Sequence, residues 1–117
     1  GNNDAATAWG ISSESYEKNL TTILTAVGKA VVVGLCLPDP NNFEINQYYG
    51  DERLDLFNNI AKEVAYNEQA SFVDILPAMR KLKDKSTYYL ADGQHLTEKG
   101  NEFLVSQIVP VIKKELD

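Results

Sequence analysis

The sequence predicts an α/β protein, a parallel β-sheet layered with helices. Three observations carry that expectation. Two short apolar runs, residues 30–37 and 71–75, have the length and β-branched content of buried strands. Amphipathic segments with helical spacing precede, separate and follow them. The resulting order is helix, strand, helix, strand, helix, loop, helix, the alternation that sets parallel strands side by side under covering helices. A chain of 117 residues makes one domain of this kind, residues 1–117.

Each element has a local reason. Ser12 or Ser13 can cap a helix starting near Glu14, with Tyr16, Leu20, Ile23, Leu24 and Val27 on one face and Gly28 as its stop. Residues 30–37 follow as a strand that is apolar on both faces. Pro38 and Pro40 end it and open a loop to about Gly50. Asp51 can cap the next helix, whose apolar stripe is Leu54, Phe57, Ile60, Ala61 and Val64. Residues 71–75 form the second strand. Pro77 suits the first turn of a short helix reaching about Leu82. Tyr88, Tyr89 and Leu90 lead into a loop over residues 92–95. Thr97 caps the last helix, with Leu104, Ile108 and Ile112 facing the core and Pro110 kinking or splitting it.

Bulk properties narrow the function classes. The net charge of −6 disfavours nucleic acid, whose phosphates need clustered Lys and Arg. The basic run from Arg80 to Lys85 reads as a solvated helix end, where cations suit the helix dipole. Cys36 is the only cysteine, so no intrachain disulfide is possible, and within its apolar run it reads as a small buried hydrophobe. No stretch reaches the ~20 apolar residues of a membrane span. The chain reads as soluble, with its compartment open.

His95 is the only histidine, which rules out a multi-histidine metal site but leaves a general base titrating near neutrality. Asp92 lies three residues before it, in a glycine-containing loop ahead of a capped helix. That spacing lets a carboxylate fold back on the imidazole and fix its tautomer. Loops at the carboxyl ends of parallel strands are also where α/β sites form.

The run Tyr89-Leu90-Ala91-Asp92-Gly93-Gln94-His95-Leu96-Thr97-Glu98-Lys99-Gly100 resembles the fifth sequence block of the SGNH, or GDSL-type, hydrolases. Gly1-Asn2-Asn3-Asp4 resembles their third block, Gly-x-Asn-Asp. Essentially the whole chain resembles the C-terminal half to two-thirds of such an enzyme. The resemblance implies a flavodoxin-like three-layer α/β/α fold lacking its N-terminal strands. It implies ester hydrolysis by a Ser-His-Asp triad in which Asp92 and His95 are two members. Asn3 would donate a neutral side-chain N–H to the oxyanion, and Asp4 would support the loop. No metal or organic cofactor is implied. Substrates compatible with the triad include small esters, acylated sugars and lipids.

The chain departs from the family in carrying no Gly-Asp-Ser block. The resemblance places that block, with the nucleophilic serine and a second oxyanion glycine, upstream of Gly1. Ser12, Ser13 and Ser15 read as helix caps, Ser71 opens a strand, Ser86 is in a polar loop and Ser106 lies in a helix. None has a local argument for activation. Phe43, Ile45, Tyr48 and Tyr49 can line a substrate pocket or cover the core. Trp9 can flank the site or pack as a lid. Two strands also leave the sheet short of the ~5 that helices on both faces cover. The isolated chain is therefore expected to self-associate, or to pair with a missing segment, to cover its sheet edges. The alternative function is a non-catalytic binding module, in which Asn3, Asp92 and His95 would be idle. A regulatory flavodoxin-like domain needs an acidic phosphoacceptor at a strand end, and neither Asp74 nor Asp39 is well placed for that.

Overall fold

In the computed structural model, which describes residues 2–7, 9–27 and 29–116, the two apolar runs meet as a parallel pair. Strand β1 (Val31–Val33) lies beside β2 (Ser71–Val73), with Val31 opposite Ser71 and Val33 opposite Val73. The helices are α1 (Asn2–Ala5), α2 (Ser13–Val27), α3 (Phe43–Asn46), α4 (Asp51–Asn67), α5 (Ile75–Arg80) and α6 (Glu98–Leu116), with a 3-10 turn at Lys85–Tyr88. Helices α4 and α6 each pack on both strands, and α2 packs against α4. This is the layered α/β arrangement with a parallel sheet that the alternation of elements predicts. Gly1 and Gly28, the block opener and the expected helix stop, lie outside the described residues.

The core lies mainly between α4 and the strand ends. Phe57, Leu35, Leu54, Ile75 and Leu76 are its largest fully buried side chains, each contributing roughly 1.5–3 kcal/mol by burial. Phe57 stacks on Tyr16 of α2 with ring centroids 4.9 Å apart. The expected caps form at Ser12, whose Oγ accepts the Ser15 N–H, and at Thr97, whose Oγ1 accepts the Gly100 N–H.

The first strand is shorter than the apolar run. Pairing stops at Val33, because β2 ends at Val73 and Asp74 already sits at the N-cap position of α5. The backbone beyond is satisfied one group at a time. The Gly34 N–H reaches the Val73 carbonyl, the Leu35 N–H reaches Asn58 Oδ1, and the Cys36 N–H reaches Asn2 Oδ1. The Leu37 N–H meets Met79 Sδ, and the Tyr89 hydroxyl donates to the Leu37 carbonyl. Side chains thus replace the missing ladder.

Other boundaries also move. Gly50, not Asp51, holds the N-cap position of α4, and Asp51 is its first helical residue. The loop after Pro40 contains the short helix α3, capped by Asn42 through the Ile45 N–H. Helix α5 begins two residues before Pro77 and ends at Arg80. Pro77 is still within the first turn, where no helical acceptor awaits an N–H. Helix α6 runs through Pro110 without splitting. Pro110 is on the exposed side, where water can reach the Ser106 carbonyl that it leaves without a helical donor.

Ile23, Val27 and Ile112 are exposed instead of facing the core. Helix α2 packs chiefly against α4, so a narrow stripe of Tyr16, Leu20 and Leu24 suffices. In α6 the core side is Phe103, Leu104, Ile108 and Val111.

Candidate active site

The loop carrying Asp92 and His95 is tied down from several directions. The Leu90 N–H bonds the His95 carbonyl, the Gly93 N–H bonds the Leu90 carbonyl, and Tyr89 bridges to Leu96. From the other side, the Asp39 N–H reaches the Gly93 carbonyl and Asn42 Nδ2 reaches the Ala91 carbonyl. Gly93 has a φ of 72°, and a Cβ there would stand 2.9 Å from Asn42 and Ile45 atoms. Both the backbone angle and the close approach require glycine.

Asp92 uses its two carboxylate oxygens differently. Oδ1 accepts the backbone N–H groups of Gln94 and His95, each at 2.9 Å, which closes the turn. Oδ2 pairs with His95 Nδ1. The His95 hydrogen bond, and after it the two backbone donors, holds the Asp92 carboxyl down at about 2. A proton on Nδ1 is shared with that carboxylate, so Nε2 carries the free lone pair.

Asn3 reaches the same region from the other end of the sequence. It sits on α1, and Gly10 folds the following turn tightly: a Cβ at Gly10 would lie 2.2 Å from the Ala6 carbonyl oxygen and 2.3 Å from that of Asp4. Asp4 supports this turn through its backbone carbonyl, which accepts the Ile11 N–H at 3.0 Å. Arg53 fastens the turn by donating to the carbonyls of Ala5 and Ile11 while its guanidinium lies 4.8 Å from the Phe57 ring centre.

A cleft of about 660 Å³ opens where β1 ends, and its walls include Asn3, Asp4, Cys36, Pro38, Gln94 and His95. Asn3 and His95, more than ninety positions apart in sequence, therefore face one space. Asp92 stands behind His95, outside the lining. Among the described lining residues there is no serine. Cys36 is half-buried, and burial pushes its thiol pKa up, the opposite of an activated nucleophile. Among the described residues no three His, Cys, Asp or Glu side chains cluster closely enough to hold a metal ion, and no helix is long and apolar enough to cross a membrane.

Three residues that sequence reasoning passed over build this site. Asn2 pairs both ways with the Cys36 peptide, Nδ2 donating to its carbonyl at 2.6 Å and Oδ1 accepting its N–H at 2.9 Å. Gln94 Nε2 donates to the Tyr49 hydroxyl at 3.2 Å. Arg53 clamps the turn after Asn3. Asn2 and Gln94 occupy variable positions inside the two motifs, which was the available signal. Nothing local to Arg53 announces its partners, which lie more than forty residues away.

Comparison with known proteins places the chain in a family and a fold. A model of the GDSL-like lipase/acylhydrolase family matches residues 1–103. The isoamyl acetate-hydrolyzing esterase 1 homolog of Homo sapiens is 38% identical over 60 residues, covering 51% of this chain and 24% of that protein. The Bos taurus counterpart is 39% identical over 54 residues, covering 46% and 22%. The matches thus span about a quarter of the length of these curated relatives. The crystal structure of a lipase/acylhydrolase from Enterococcus faecalis superposes with a TM-score of 0.85 over 97% of this chain and 57% of that one. At 23% identity, that likeness speaks for the fold.

Proposed function

Because the chain belongs to the GDSL-like lipase/acylhydrolase family, we propose that it carries the base, its orienting carboxylate and an oxyanion donor of a serine ester hydrolase. The observation that supports this most is the shared cleft of Asn3 and His95, with Asp92 engaging His95 from behind. In this reading His95 Nε2 takes the proton of a serine hydroxyl as its oxygen attacks an ester carbonyl. Asn3 Nδ2 donates to the oxyanion of the tetrahedral intermediate. His95 returns the proton to the departing alcohol, then activates water to release the acyl group. Asp92 holds the imidazole in register and stabilises its cationic form.

The serine comes from polypeptide beyond residues 1–117. Supporting this are the serine-free lining of the cleft, the greater length of the relatives and the two-stranded sheet. On its own the chain would be inactive. Small esters, acylated sugars and lipids are the substrate classes, with the isoamyl acetate hydrolysis for which the relatives are named favouring a small acetate ester.

The test is labelling of the natural protein with a fluorophosphonate probe, followed by peptide mapping. Label on a peptide outside residues 1–117, lost in His95→Ala, is the expected result. Label on a serine within the chain would reassign the nucleophile. Absence of label would favour the second reading, a non-catalytic binding module, to which the serine-free cleft also lends itself.

A further inference from the structure

Asn3 is exposed, and an exposed asparagine amide has two nearly equivalent flips. One flip offers a ligand N–H donors. The other offers a carbonyl oxygen, which would repel a developing oxyanion. Something must select between them if Asn3 is to act as a donor. The side-chain partner found for Asn3 is Trp9, whose indole N–H donates to Asn3 Oδ1 at 3.4 Å. An indole can only donate, so it can bind only the oxygen end of the amide. That choice leaves Nδ2 free.

Trp9 is itself held in place. Its ring lies 4.9 Å from that of Tyr48 at 53°, and 6.4 Å from that of Tyr49, edge-on at 84°. Tyr49 is buried, and its hydroxyl accepts from Gln94, whose backbone N–H is bound by Asp92 Oδ1. One aromatic bracket thus connects the Asn3 turn with the Asp92–His95 loop. Half-exposed Trp9 gains little from burial in this position, whereas its N–H has a defined target.

We infer that Trp9 is a positioning residue whose indole N–H holds the Asn3 amide in the flip that aims Nδ2 at the oxyanion. This rests on the reading of Asn3 as an oxyanion donor.

The test is a double-mutant cycle in the serine-bearing protein, with p-nitrophenyl acetate as substrate. Asn3→Ala should lower kcat about 100-fold or more. Trp9→Phe should lower kcat about 2- to 10-fold with KM unchanged, the rate equivalent of one ordinary hydrogen bond. In the Asn3→Ala background Trp9→Phe should have no further effect, because Trp9 acts only through Asn3. If Asn3→Ala leaves kcat intact, the oxyanion assignment itself falls. If Asn3→Ala is impaired but Trp9→Phe is not, only the positioning role falls. An equal Trp9→Phe loss in both backgrounds would make Trp9 a packing residue and overturn the inference.

Replacing Trp9 by 3-benzothienylalanine guards against a folding defect, since the ring shape stays and only the N–H is lost. It should reproduce the Trp9→Phe loss. Wild-type kcat in that protein would overturn the inference. Side-chain amide NMR of residues 1–117 gives a readout without activity: the Asn3 Nδ2 resonances should shift in Trp9→Phe, and unchanged resonances would contradict the contact.

Discussion

His95 Nδ1 pairs with Oδ2 of Asp92, while Oδ1 of the same carboxylate binds the backbone N–H groups of Gln94 and His95. One anion therefore both folds the loop and orients the imidazole. The arrangement needs a spacing of three, because the turn that brings the side chain of residue i back to the N–H groups at i+2 and i+3 also presents the i+3 ring to its second oxygen.

That dual use predicts a titration. Asp92 is held at about 2 against an ordinary 3.8. It binds its proton more readily in the unfolded chain, so its stabilising contribution is complete above about pH 4 and fades as pH falls toward 2. Carbon-13 NMR of the Asp92 carboxyl should give a midpoint near 2. In His95→Ala the midpoint should rise only part of the way to 3.8, since the two backbone donors remain. A wild-type midpoint at 3.8 would contradict the pairing.

Asp92→Asn separates the two tasks. The amide oxygen can still accept from Gln94 and His95, so the loop and the melting temperature should stay near wild type. Its NH2 would face Nδ1 as a donor, which forces the proton onto Nε2 and removes the base. In the serine-bearing enzyme kcat should fall about 10³- to 10⁴-fold. Asp92→Ala should show the same loss together with a destabilised loop. Activity of Asp92→Asn near wild type would remove Asp92 from the triad.

The sequence made the ends of this site more legible than its middle. Asp92, His95 and Thr97 sit within one short motif whose turn chemistry is local, so the spacing suggests the pairing and the resemblance of residues 89–100 to a family block strengthens it. The helix faces were readable where neighbours cover the whole apolar stripe, as for Leu54, Phe57 and Ala61 of α4, which packs on both strands and on α2. The reading overreached at Ile23, Val27 and Ile112, because periodicity reports an apolar face without telling whether this chain covers it. The extent of β1 was overread for a related reason. Residues 35–37 remain apolar, but their N–H groups go to Asn58, Asn2 and Met79, partners that no local pattern encodes.

Asn58 shows what those non-local partners contribute. It is buried in α4, with Oδ1 accepting the Leu35 N–H at 3.0 Å and Nδ2 donating to Asp74 Oδ1 at 3.0 Å. Asn58→Ala strands the buried Leu35 N–H and should cost about 1–3 kcal/mol in urea unfolding. Gly34→Ala should also destabilise, because its Cβ would stand 2.5 Å from Asn58 Oδ1 and 2.8 Å from the Phe72 ring. If Asn58→Ala unfolds at the wild-type midpoint, the side chain is not substituting for the ladder.

The exposed apolar residues predict association. Val105, Val109 and Ile112 are 54%, 37% and 41% exposed. Their spacing of four and three sets them on one face of α6, and Ile23 and Val27 form a similar exposed pair on α2. With only two paired strands, β1 and β2 also each have an unpaired side among the described residues. Uncovered apolar stripes and open strand edges are both sites of self-association. Residues 1–117 alone should therefore sediment as a concentration-dependent oligomer. Replacing Val105, Val109 and Ile112 together by Lys should weaken that association without unfolding the chain, since these side chains lie outside the core. In the proposed reading, a serine-bearing segment supplied in trans should suppress it in the unmodified chain by covering the same surfaces. Sedimentation as a single monomer across the accessible concentration range would show that neither the α6 stripe nor the strand edges require a partner.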